Sequence, residues 1–286
     1  VEQGEFAFIG DDAARLGVEA APVERIVVPP GMSGLKWRAG DPTLALLHGA
    51  GLHAHSWNSV ALVLSRPLIS LDLPGHGHSE WRDDAIYTAP AIAPAVTAAI
   101  AGFSHVDAIA GHSLGGLAAI LVASALPDQV HSLVLVDVTP GFRKREQNTS
   151  QANAFMSRES FESRDEVIQF ALDHGLGSSR EALARGVYLN TRVRDDGRVE
   201  FRHHLSRLSP ASHRNHDPEL LWEPLAALDA RVLLVRGTNG ILDEEHVEEF
   251  RSMVPSGTVV ALETGHNVHR DDPKGLARAI TEFLGR

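Results

Sequence analysis

The stretch Val106-Asp107-Ala108-Ile109-Ala110-Gly111-His112-Ser113-Leu114-Gly115-Gly116-Leu117-Ala118-Ala119-Ile120-Leu121-Val122-Ala123 decides how the chain is read. A short apolar run, the pattern of a buried strand, breaks at Gly111, and apolar residues at helical spacing resume at Leu114. Between them stands Gly-x-Ser-x-Gly. A chain passing from strand to helix through so short a turn holds its central residue in a strained conformation. Side chains two positions to either side would collide, so both places call for glycine. Such a turn lifts the Ser113 hydroxyl clear of the sheet and aims the first N–H groups of the helix at the same spot. A glycine-rich helix start can also serve packing alone. It is the strand before and the helix after that point to an exposed, functional hydroxyl.

The same alternation extends outward. Nearly continuous apolar runs at Thr43–Leu47, Leu68–Leu71, Ser132–Val136, Arg231–Val235 and Thr258–Leu262 have the pattern of strands buried on both faces. Helical stretches are expected after Trp57 and near 88–101, 243–254 and 274–284. Repeated strand–helix units predict an α/β fold, a mainly parallel central sheet flanked by helices. An N-terminal helix or arm over 4–17 precedes a hairpin-like opening, in which Val23–Val28 and Leu35–Arg38 flank Pro29-Pro30-Gly31. The alternation lapses from about Gly141 to Leu221, where helical patterns near 160–174 and 178–189 carry no strong strand run. The expected division is a core of residues 1–140 and 222–286 with a helical cap inserted at 141–221.

Composition narrows the function. The 286 residues with 43% hydrophobic content suffice for one large domain with a substantial core. A net charge of -11 argues against nucleic-acid and anionic-membrane partners. The absence of cysteine removes disulfides, thiolate chemistry and cysteine-ligated metals. Ala89–Phe103, the most apolar long stretch, is short and interrupted by Pro90 and Pro94, so no membrane span is expected. The acidic start lacks a secretory pattern, and a cytoplasmic protein is expected.

Four motifs, each at the end of an expected strand, now stand in order: His48-Gly49-x-Gly51, Asp72-x-x-Gly75-x-Gly77-x-Ser79, the Ser113 turn, and Gly265-His266. Together they resemble the α/β-hydrolase family from about Val23 to the end of the chain, and Val134–Pro140 resembles a branch of small serine esterases. The insertion after Asp137 sits where that family places a lid. The resemblance makes Ser113 the nucleophile on its elbow and His266 the base that takes its proton. His266 stands out among sixteen histidines by directly following the last expected strand, with Pro273 seven residues on. His112, inside the elbow, is expected to point away from the hydroxyl, and His269 to face elsewhere.

The acid departs from the family's usual pattern. Its ordinary position, in the loop after Arg231–Val235, falls on Gly240. Asp137, at the end of the strand after the elbow helix, is the expected substitute, with Asp243 as the alternative. Asp243 also has the look of a helix N-cap before Glu244-Glu245. The resemblance further implies an oxyanion hole from the backbone N–H groups of Ala50 and Leu114.

The expected activity is hydrolysis of small to medium carboxylic esters through an acyl-enzyme, with no cofactor. Carbon–carbon bond hydrolysis, thioesterase or haloperoxidase-like activity and a non-catalytic ligand receptor are the rival readings. The pairs His53-x-His55, His76-x-His78 and His203-His204 offer no third metal ligand at a recognisable spacing. Asp72 is expected to fix its own loop, and Trp37 and Trp57 to be core. Phe155, Met156, Phe161, Phe170, Leu172 and Trp222 are expected on the apolar side of the cap. Arg143, Lys144 and Arg145 read as a solvated face.

Overall fold

A short amphipathic helix, α1 (Ile9–Leu16), leads into an antiparallel hairpin of β1 (Val23–Val28) and β2 (Met32–Trp37). The coordinates are a computed structural model that describes residues 4–142, 158–174, 179–208 and 217–285. After the hairpin come β3 (Leu44–Leu47), α2 (Asn58–Leu64), β4 (Leu68–Asp72), α3 (Ala89–Ala101), β5 (Ala108–His112), α4 (Leu114–Ala125) and β6 (Ser132–Val136). Next come α5 (Arg164–Asp173), α6 (Arg180–Asn190), β7 (Thr191–Val193) and β8 (Val199–Phe201). The chain closes with α7 (Trp222–Ala226), β9 (Arg231–Gly237), α8 (Glu244–Met253), β10 (Thr258–Leu262), α9 (Val268–Asp271) and α10 (Pro273–Leu284).

The eight-stranded sheet runs in the order β1-β2-β4-β3-β5-β6-β9-β10 and is parallel from β4 onward. Residues alternate between its two faces, which is why the strands read as unbroken apolar runs. Leu47, Ile69, Ile109, Leu133 and Leu135 pack with Ile92 and Val96 of α3 and Ile120 of α4. Leu44, Leu46, Ala110, Val134 and Leu233 pack on the other side with Val60 of α2 and Leu276 and Ile280 of α10. Trp37 and Trp57 are fully buried there.

Strand order also fixes where chemistry can sit. The chain turns from β3 to β4 on one side and then back to β5 on the other, so the crevice at the strand ends lies between β3 and β5. The strand bearing Ser113, the strand bearing Asp137 and the two that lead to Gly240 and His266 are four consecutive neighbours.

The segment expected as a helical cap, 141–221, also contains strands among its described residues. Its two short strands pair antiparallel, Thr191 with Phe201 and Val193 with Val199, three residues each and too brief to show as a periodic run. Phe161, Val167, Ile168, Val187, Val199 and Phe201 form a separate apolar cluster, joined by Phe170 and Leu172. Trp222 is not among them, because it opens α7 and packs into the core beside Leu225. Phe155, Met156, Arg143, Lys144 and Arg145 lie outside the described residues. Among the described residues no helix is long and apolar enough to cross a membrane.

Candidate active site

Ser113 takes the strained turn expected of it, with φ 50° and ψ -119° between the last residue of β5 and the first of α4. The glycines around it are steric necessities. A Cβ on Gly111 would lie 2.4 Å from the Gly115 carbonyl oxygen, and one on Gly115 would lie 2.5 Å from the His48 carbonyl oxygen. The helix therefore starts immediately and close to β3, and the Leu114 amide belongs to the first turn, whose N–H groups have no intrahelical acceptor. The loop after β3 comes just as near: a Cβ on Gly49 would lie 3.3 Å from the Cβ of Ser113. Among the described residues, neither the Ala50 nor the Leu114 amide is engaged in another hydrogen bond.

That loop is held by side chains from elsewhere. The Gly51 N–H donates to His76 Nε2 at 3.0 Å, and the Gly51 carbonyl accepts from Asn190 Nδ2 at 2.8 Å. Since His76 Nε2 accepts, its proton sits on Nδ1 and donates to the Pro74 carbonyl at 3.0 Å. His48 repeats the arrangement, with Nε2 accepting from Leu73 N–H at 2.9 Å and Nδ1 donating to the Gly49 carbonyl at 2.7 Å. Both rings are buried, and burial pushes their pKa values down to about 3 for His48 and about 4 for His76. They are neutral struts rather than charges. Neither was assigned a role from sequence, because an imidazole used as a donor–acceptor brace depends on partners about 25 positions away.

Asp72 organises the neighbouring loop. Its fully buried carboxylate accepts from Ala54 N–H at 2.7 Å and His78 N–H at 3.1 Å, and pairs with Arg25 at 2.8 Å. Arg25 also binds Glu5, which reaches His55 at 3.0 Å. The N-terminal arm thus helps to compensate a charge buried beneath the site.

Asp137 and His266 meet. Asp137 has φ 49°, a left-handed conformation that aspartate tolerates better than most residues, and its N–H donates to Val235 of β9 at 2.7 Å. Its fully buried carboxylate takes the Gly237 N–H at 3.0 Å, the Ile241 N–H at 3.0 Å and His266 Nδ1 at 2.8 Å. His266 Nδ1 is therefore the protonated nitrogen, and Nε2 is left as a base. The position after β9 has no room for a side chain, since a Cβ on Gly240 would stand 2.3 Å from Asp137 Oδ2. Asp243 instead caps α8, accepting from His246 N–H at 3.2 Å and touching His246 Nδ1 at 2.5 Å.

His112 packs against the loop of the candidate base. Its buried ring lies 4.5 Å from the His266 ring and 4.7 Å from the His269 ring. His112 Nε2 donates to the His266 carbonyl at 2.9 Å, so the residue beside the serine grips the backbone of the candidate base. Burial, reinforced by His269 and His266, keeps His112 far below its ordinary pKa. His269, also buried and lowered to about 3, packs on Trp57. Among the described residues no group of three or more ligating side chains converges as a metal site would require.

The model of the Alpha/beta hydrolase family matches residues 44–279. Esterase Rv0045c of Mycobacterium tuberculosis is 33% identical over 98% of this chain and 95% of its own length. A solved structure of that esterase superposes with a TM-score of 0.87 at 30% identity, covering 100% of both chains. An sn-1-specific diacylglycerol lipase, ABHD11 of Mus musculus, is 26% identical over 85% of this chain and 81% of its own. E-2-(Acetamidomethylene)succinate hydrolase shares the fold, with a TM-score of 0.76 at 19% identity over 93% of this chain and 100% of its own.

Proposed function

The chain belongs to the alpha/beta hydrolase family, and on that premise we propose that it hydrolyses small to medium carboxylic esters through an acyl-enzyme on Ser113, with residues 141–221 as its cap. The observation that carries the assignment is the 2.8 Å contact of His266 Nδ1 with the fully buried Asp137 carboxylate, one strand from the strained serine. Ser113 Oγ attacks the ester carbonyl as His266 Nε2 takes its proton. Asp137 holds the ring's orientation and stabilises the imidazolium that forms.

The carbonyl oxygen, now an oxyanion, receives the Ala50 and Leu114 N–H groups. Each such donor contributes on the order of 3 kcal/mol to the fall in barrier. His266 then returns the proton to the departing alcohol. Water, deprotonated by the same nitrogen, attacks the acyl-enzyme and frees the acid. No cofactor enters these steps. Esterase Rv0045c, similar over 98% of this chain, is by name an esterase, which supports the reaction class.

The test is direct. Ser113→Ala and His266→Ala are expected to abolish turnover of a para-nitrophenyl ester while leaving the thermal melt in place, and a fluorophosphonate probe should label the parent protein at Ser113. Near-normal turnover in either variant rejects the mechanism. Absence of labelling in a folded parent protein would favour the receptor reading.

A further inference from the structure

Beside the Asp72 loop, where the β7–β8 hairpin of the insertion meets the core, lies a second cavity of about 270 Å³. Gly77, His78, Ser79 and Trp81 line it from the core, and Arg192 and Arg202 from the hairpin. The hairpin is docked there by main-chain contacts: His204 N–H to the Gly75 carbonyl at 2.8 Å, and Trp81 Nε1 to the Arg202 carbonyl at 3.3 Å. Trp81 stacks on His204 at 4.4 Å, and the guanidinium groups of Arg192 and Arg207 stand 5.1 and 5.0 Å from its ring. The wall is therefore built, not a chance dent in mobile side chains.

The charges here are unevenly paired. Four arginines gather with four carboxylates, and three of those carboxylates, Glu5, Asp72 and Glu200, already have an arginine. Glu5 and Asp72 bind Arg25, and Glu200 binds both Arg192 and Arg207. Arg202 is the remainder. Its Nε donates to the Thr191 carbonyl at 3.2 Å, and its two terminal nitrogens have no partner among the described residues. Glu80, the remaining acidic residue on the rim, folds its carboxylate toward Gly31 and lies beyond ion-pair distance of either arginine. On a chain of net charge -11, a half-buried guanidinium with an open fork stands against the general electrostatic trend. Burial and the neighbouring Arg25 and Arg192 push Arg202 below its ordinary pKa, while burial, Arg25 and Arg202 lower His78 to about 4.

We propose that this cavity binds an oxyanion, a carboxylate or phosphate group, in the fork of Arg202 with Arg192 beside it. A planar fork with paired N–H donors matches such a group bidentately, and the volume suits a small anionic moiety rather than a whole large ligand. The anion can be the far end of an ester substrate or a free ion acting as an effector, and the two sources give different results.

Two measurements on the full chain decide it. Titration calorimetry with inorganic phosphate, which needs no assumption about esterase activity, is expected to show binding that Arg202→Gln weakens about tenfold to a hundredfold and Arg202→Lys weakens less. Second, kcat/KM is measured for the para-nitrophenyl monoester of glutaric acid and for a neutral ester of equal chain length. If the substrate carries the anion, Arg202→Gln lowers the charged-to-neutral ratio by a similar factor. If the anion is an effector, only phosphate binding falls. Arg202→Gln removes one side-chain bond, from Nε to the Thr191 carbonyl, while the hairpin stays docked through His204 N–H and Trp81 Nε1, so the fold is expected to persist, and a thermal melt checks this. The proposal is overturned if Arg202→Gln in a folded protein changes neither phosphate binding nor the ratio.

Discussion

Gly240→Ala is the most economical probe of how the proposed triad is held. The added Cβ would stand 2.3 Å from Asp137 Oδ2, 2.5 Å from Oδ1 and 2.7 Å from Cγ, whereas ordinary contact begins near 3.4 Å. Something must therefore move by about 1 Å. The carboxylate has no slack, because it is fully buried and pinned by Gly237 N–H, Ile241 N–H and His266 Nδ1. Pushing it aside loosens the charge-assisted bond to His266, worth ~1.5–3 kcal/mol, so kcat for a para-nitrophenyl ester should fall roughly tenfold to a hundredfold. Overpacking should also cost about 1–3 kcal/mol of stability, read as a lower urea midpoint. A compensating pair separates crowding from general damage. In Asp137→Gly with Gly240→Asp, the carboxylate enters the same volume from the next strand, and kcat is expected to recover about tenfold or more over Asp137→Gly alone. If Gly240→Ala stays within about threefold of the parent in kcat and keeps its urea midpoint, the carboxylate is not positioned as argued.

Asp137→Asn should lower kcat by up to about 10⁴-fold, as loss of the orienting acid does in serine triads, whereas Asp243→Asn should leave turnover nearly intact because asparagine caps a helix as well as aspartate. The reverse ranking would reassign the acid. Asn190→Ala removes the amide that holds the Gly51 carbonyl, at 2.8 Å; kcat should fall about fivefold with KM little changed, and a pure KM effect would contradict a role in holding the oxyanion loop. Stability should fall on acidification well before carboxylates titrate. His48, His76 and His269 are kept neutral by burial, lowered from 6.5 to about 3, 4 and 3. The unfolded chain binds those protons first, so each removes ~1.4 kcal/mol per pH unit below about 6.5, down to its folded value. A urea midpoint that stays constant from about pH 7 to 5 would refute this.

The parts of the fold that sequence revealed are those governed by local periodicity or local sterics. Leu44–Leu47 and Ser132–Val136 announced buried strands because both of their faces pack, and Gly111 and Gly115 announced the elbow because a Cβ at either would strike backbone. Asp137 was singled out through a vacancy: the glycine at 240 directed the search for the proposed acid elsewhere, and the Asp137 carboxylate occupies the space that a side chain at 240 would need. What stayed hidden rests on distance along the chain. His112 appeared to be a variable elbow residue because nothing within the motif indicates that its Nε2 reaches the His266 carbonyl, 154 positions later. Asn190 and Gly51 lie 139 positions apart, at the end of α6 and in the loop after β3, and no periodicity encodes their docking. Arg202 looked like one charge among many until the tertiary fold assigned its neighbours' carboxylates to other arginines. Hydrophobic spacing constrains a segment by itself, whereas a buried polar pair constrains two segments jointly and leaves no signature in either. The residues hardest to read in this chain are accordingly the buried polar ones that tie the Ser113 turn, the Ala50 loop and the His266 loop to one another.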